Sequence, residues 1–149
     1  MIIHIDISGQ ITQKNMNSAL ALKSSDGFEY SVFLRAKDKK FILNKYKFFK
    51  RIEEKVYCIM VFYLLNDKLD KNIEEIVFCR DVNFRKVKNI LLKTIPPLKN
   101  FIIRQRDSDD FNSLAHKVAL KTFQGKRKYD ILITKKMIEE KLRMDGIMP

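Results

Sequence analysis

A chain of 149 residues with 46% hydrophobic and 32% charged residues is globular rather than disordered, and long enough for one domain burying roughly 70% of its unfolded surface. Its 30 Lys and Arg against 18 Asp and Glu leave +12 at pH 7, a field that favours polyanions: nucleic acid first, an anionic membrane surface second. The longest apolar run, Val56–Leu65, is too short to span a bilayer, no metal-binding Cys/His spacing occurs, and no signal-peptide pattern precedes the opening strand; a cytoplasmic protein with no membrane association is expected.

The first ten residues, MIIHIDISGQ, alternate Ile3, Ile5 and Ile7 with His4, Asp6 and Ser8, the period-2 pattern of a strand. A carboxylate in the middle of an isoleucine-rich strand is partly desolvated and needs a partner. Ile11–Ser18 reads as a polar connection, and Ala19–Ser24 as a short apolar strand. Asp26-Gly27 then marks a two-residue hairpin turn into a strand carrying Phe28, Tyr30, Val32 and Leu34. Lys37–Lys40 reads as a charged break, after which Asn44 caps a helix running to about Leu65. Ile73–Cys79 is a buried strand ending at Arg80-Asp81, and Cys58 and Cys79, both inside apolar runs, read as reduced, buried thiols. Asn83–Thr94 is an amphipathic helix with Phe84, Val87, Ile90 and Leu91 inward, stopped by Pro96-Pro97. Phe101–Arg104 is a short strand, Asp107–Asp110 an acidic loop or helix start, Phe111–Phe123 a helix, Gly125–Lys128 a basic turn and Thr134–Met144 a last helix.

The expected order is therefore β-β-β-α-β-α-β-α with a C-terminal extension, all in one domain. This implies an α/β fold whose mixed five-stranded sheet, a three-stranded meander followed by parallel αβ units, has helices on both faces. The opening strand sits centrally, parallel to the strand ending in Asp81. Open α/β sheets build sites at the carboxyl ends of such strands.

That element order, with an aspartate in the first strand and another closing the first strand after the first helix, resembles the ribonuclease H-like superfamily of nucleases and integrases over about residues 1–123. The segment Asp110-Phe111-Asn112-Ser113-Leu114-Ala115-His116 is similar to the family's last core helix, in which an acid precedes a Leu-Ala pair and small residues let the helix lie close to the sheet. The resemblance implies phosphodiester hydrolysis in RNA, RNA–DNA hybrid or structured DNA by two Mg²⁺ or Mn²⁺ ions. Asp6 would bridge the ions and Asp81 would ligate one. Glu53, with Glu54 as the alternative, would be the helix acid, and Asp110 the last-helix acid. Two departures stand out. The first helix has Lys45, Tyr46, Lys47 and Phe48 where the family's glutamate falls, and Asn112 occupies the usual acid position before Leu-Ala. Asp110 also fits as a helix N-cap or first-turn acid. His116 falls within the helix, in a surface or packing role.

Two basic regions supply a substrate side. One holds Lys39, Lys40, Lys45, Lys47, Lys50 and Arg51 interleaved with Phe41, Tyr46, Phe48 and Phe49; the other holds Lys121 and Arg127. Basic side chains alternating with aromatics suit a phosphate backbone and splayed bases. The same stretch also reads as a solvated helix start whose aromatics face the core. The rival to a nuclease is a non-catalytic nucleic-acid-binding module on the same fold.

Overall fold

The computed structural model describes residues 1–79, 82–106 and 114–146. Among them are a six-stranded mixed sheet and five α-helices. The strands are β1 (Ile2–Ser8), β2 (Ser18–Ser24), β3 (Glu29–Leu34), β4 (Glu75–Phe78), β5 (Ile102–Gln105) and β6 (Ile131–Ile133), in the spatial order β5-β4-β1-β2-β3-β6. β1 pairs antiparallel with β2, opposing Asp6 to Ala21, and parallel with β4, opposing Ile5 to Phe78. The strand that carries Asp6 is thus interior and flanked on both sides, as a meander followed by αβ units leads one to expect.

The β2–β3 hairpin departs from the expected two-residue turn. Ser24 N–H donates to Phe28 O and Gly27 N–H to Ser24 O, a three-residue loop in which only Gly27 (φ +97°) is left-handed. Asp26 keeps a negative φ because its carboxylate accepts from the Phe28 N–H and the Ser24 hydroxyl, which lowers its pKa. At the other end of β1, Gly9 (φ +78°) is required twice over. A Cβ there would lie 2.0 Å from the Asn17 carbonyl oxygen and 2.8 Å from the Phe123 ring.

The helices are α1 (Ala36–Lys45), α2 (Ile52–Leu65), α3 (Phe84–Thr94), α4 (His116–Phe123) and α5 (Lys135–Met144), with a 3-10 turn over Pro96–Asn100. Asn83 caps α3 through its side chain, and Thr134 caps α5. Residues from α1, α2, α3 and α5 join Ile3, Ile5 and Ile7 in the main core, while α4 packs on the opposite face, against β1, β2 and β3. Both cysteines are buried, and burial raises the Cys58 thiol's pKa.

Three corrections to the sequence expectation concern the ends of these elements. Residues 37–40 are not a break but the first turn of α1, and Asn44 lies inside that helix rather than capping a later one. The chain turns at Arg51, which adopts a left-handed backbone (φ +58°), so two helices replace the single long one. The sheet has six strands instead of five, because Ile131–Ile133 adds to β3 in parallel. Asp130 guides that addition: its N–H donates to Ser31 O, and its carboxylate accepts from Ser31 N–H at 2.8 Å.

The charged start of α1 misled the sequence reading because two of its charges are internal. Asp38 is 6% exposed and Lys39 fully buried, its ammonium donating to Gln10 O (3.0 Å) and Ser18 Oγ (2.9 Å). These bonds tie the 10–18 connection to α1. Burial without a carboxylate partner lowers the Lys39 pKa from 10.5 to about 8. The folded state therefore disfavours the proton more than the unfolded chain does. The cost of the buried charge is fully present below pH 8 and fades as pH rises towards 10.5, up to about 3 kcal/mol at 1.36 kcal/mol per pH unit. Lys39→Met removes this dependence. In urea melts at pH 7, 9 and 10, wild-type stability should gain on that of the variant as pH rises; a constant difference would mean that Lys39 is not a suppressed charge.

Candidate functional site

Alternation along β1 sends Ile5 and Ile7 into the main core and Asp6 to the other face, beneath α4. Asp6 is 2% exposed. Its Oδ1 accepts from the Ile7 N–H at 2.8 Å, and its Oδ2 lies 3.6 Å from His116 Nδ1. A buried carboxylate at the centre of a sheet is held by such donors or by a cation. His116 sits at the start of α4 with its side chain 54% exposed.

The approach of α4 rests on small side chains. Ala21, opposite Asp6 in register, packs with Val118 and Ala119 as a small cluster separate from the main core, and Ala115 is fully buried. The Leu-Ala pattern anticipated this close packing. It left His116 outside the site, although the adjacent Ala115 faces the sheet and its neighbour must flank the same strand. Asp6 beneath that helix was the signal that could have found it.

Glu53 and Glu54 lie in the first turn of α2, on the other side of β1. They line a cleft of about 170 Å³ with Ile7, Gln10, Tyr57 and Asn83, and Asp6 is not among its walls. The structure thus brings Asp6 and His116 together but sets Glu53 on the opposite face of the strand. Asp81 and Asp110, with Asp107 and Asn112, lie outside the described residues. Among the described residues no group of three His, Cys, Asp or Glu side chains could hold a metal ion. As donors, Asp6 and His116 suit one divalent cation, carboxylate and imidazole both being accepted by Mn²⁺, and a full set would need further oxygen ligands.

The basic residues separate into committed and uncommitted groups. Lys39 is a correction: a fully buried ammonium cannot meet a phosphate. Lys45 is held by Glu139 at 2.8 Å, and Tyr46 also donates to that carboxylate, lowering its pKa and raising that of the lysine. Arg127 donates to Ser31 Oγ (2.7 Å) and Asp130 (3.2 Å), anchoring β6. Lys40, Lys47, Lys50, Arg51 and Lys121 are exposed.

The small-residue contact yields a test. Ala119→Leu places a branched side chain where α4 meets the sheet, and overpacking of this kind costs about 1–3 kcal/mol. A fall in melting temperature of several degrees is expected, together with a shift of the His116 ring resonances as α4 is pushed off. Unchanged stability and spectra would show that α4 is not closely seated. Comparison with protein-family models, with curated proteins and with solved structures finds no match to this chain.

Proposed function

We propose that this chain is a divalent-metal-dependent nuclease of ribonuclease H-like architecture, with Asp6 at its reaction centre. The observation that carries this reading is the place of Asp6. It is a buried carboxylate on an interior strand, between an antiparallel meander and parallel αβ units, under a closely packed helix. β1 lies between β2 and the parallel β4, the neighbours that the element order leads one to expect. The sixth strand adds to the meander's outer edge and leaves those neighbours unchanged.

Asp6 would be the anionic anchor for Mg²⁺ or Mn²⁺, and His116, 3.6 Å from that carboxylate, would orient it or add a nitrogen donor. Asp81 follows β4 in the chain by three residues and Asp110 precedes α4 by six, and these are the further acids the resemblance assigns, Glu53 lining a cleft on the other face of β1. When bound, such ions stabilise the attacking and leaving oxygens of an in-line displacement at phosphorus. RNA, RNA–DNA hybrid and structured DNA are the substrate classes, and the +12 charge draws any of them in.

A binding module without catalysis is the second reading. It is favoured by Glu53, which lines a cleft on the other face of β1 from Asp6.

Asp6→Asn separates the two. It keeps size and much of the hydrogen bonding while removing the charge. Metal-dependent cleavage of labelled hybrid, RNA or branched DNA should fall a hundredfold or more, about 3 kcal/mol of transition-state stabilisation. Cleavage unaltered by the substitution would place the reaction elsewhere. Wild-type protein inert with both Mg²⁺ and Mn²⁺ on all these substrates would favour the module. Both readings share a second expectation. Nucleic-acid affinity should drop steeply with salt, log K falling by about 0.9 per log unit for each duplex phosphate contacted. A flat salt dependence would remove nucleic acid as the partner.

A further inference from the structure

The residue whose exposure is hardest to explain by folding alone is Phe48, 90% exposed in the turn between α1 and α2. The turn's other aromatics are used internally. Tyr46 is 6% exposed and meets Phe49 edge-on at 5.4 Å. With those two rings turned inward and Arg51 reversing the chain, Phe48 is left projecting, its ring 5.1 Å from the Lys47 ammonium. A lone exposed Phe needs no explanation; this one follows directly, in the chain, a helix with a cationic outer face.

Along the solvent face of α1, Lys37, Lys40, Phe41 and Asn44 recur at helical spacing and, with Asn15, line an open groove of about 460 Å³. The groove contains no carboxylate. Among the described residues the exposed Lys37, Lys40, Lys47, Lys50 and Arg51 have no ion-pair partner, unlike Lys45, which Glu139 neutralises. Phe41 is half covered, with the Lys135 ammonium 4.3 Å from its ring centre. Two of these lysines, Lys37 and Lys40, line the groove beside the Asn15 and Asn44 amides, and Phe48 follows Asn44 by four positions in the chain.

We propose that this flank of α1 and the Phe48 turn bind single-stranded nucleic acid. Lys37 and Lys40 take backbone phosphates, the Asn15 and Asn44 amides meet base edges in the groove, and Phe48 stacks a base. From Lys37 to Asn44 the helix rises about 10 Å, enough for a short run of nucleotides. A duplex offers its phosphates to the lysines but keeps its bases stacked on one another, so only an unpaired strand can use the ring. Charge complementarity selects the polyanion; the amides and the single projecting ring select bases over a lipid surface, which would need a broad apolar face. The inference rests on the nucleic-acid partner of the function proposed above, but not on cleavage.

Fluorescence anisotropy in EDTA tests it with cleavage silent, using a labelled single strand of about 12 nucleotides, the matching duplex and anionic vesicles. The single strand should bind more tightly than the duplex. Phe48→Ala should weaken single-strand binding by about five- to a hundredfold and change duplex binding by less than about twofold, with Phe48→Tyr retaining affinity. The double variant Lys37→Gln/Lys40→Gln should lower the single-strand salt slope by about 1.4. Equal losses on both nucleic acids, no effect of Phe48→Ala, or vesicle binding in place of oligonucleotide binding would each overturn the proposal. Phe48-dependent binding in a protein that cleaves nothing would overturn the nuclease reading and leave this one standing.

Discussion

The arrangement depends on one constraint: a carboxylate lies inside the sheet. Asp6 occupies an interior strand with β2 on one side and β4 on the other, and a helix above it. An ionised group in that position is tolerated only when donors are brought to it. The Ile7 N–H donates to it and the His116 ring lies 3.6 Å away, and the small side chains of Ala21, Ala115 and Ala119 let α4 come this close. The isoleucines on the other face of β1 make the opposite demand. They fix the strand's register, since a slip of one residue would bury His4, Asp6 and Ser8 in the main core. One strand thus sets both the stability of the domain and the chemistry available on its second face.

The second organising feature is the way α1 divides its charges. Asp38 and Lys39 turn inward, where the lysine ties the 10–18 connection to the helix. Lys45 turns towards α5, where Glu139 and Tyr46 close a small polar cluster, and Tyr63 on α2 donates to Met137 O on the same helix. Lys37 and Lys40 turn outward, with no ion-pair partner among the described residues. A helix whose composition is nearly uniform in charge therefore performs three tasks: internal bridging, docking of α5, and presentation of a cationic groove.

This division explains what could be read from the sequence. Alternation in residues 2–8 and 28–34, the amphipathic run Asn83–Thr94 and the Pro96-Pro97 stop are local signals, and each led to the right element. Local signals also sufficed for the placing of β1, because a hairpin followed by αβ units leaves few topologies. The start of α1 was missed because buried lysine and aspartate look, in sequence, like a solvated run. The strand β6 was missed because three residues carry too little periodicity, and its pairing is set by Asp130 with Ser31, ninety-nine positions away. For the site, Asp6 was legible as the odd residue in an apolar pattern. Its partner His116 was not, because that contact spans most of the chain. The exposure of Phe48 was equally hidden, being decided by which way a turn throws its rings.

The most direct test of a cation centre at Asp6 is Mn²⁺-induced broadening of amide signals in a ¹⁵N-labelled sample. The account predicts broadening centred on Ile5–Ile7 and Ala115–His116, reversed by EDTA and lost in the Asp6→Asn protein, while signals from Phe48 and α1 stay sharp. Broadening centred on the Glu53–Tyr57 cleft, or no site-specific broadening at all, would contradict it.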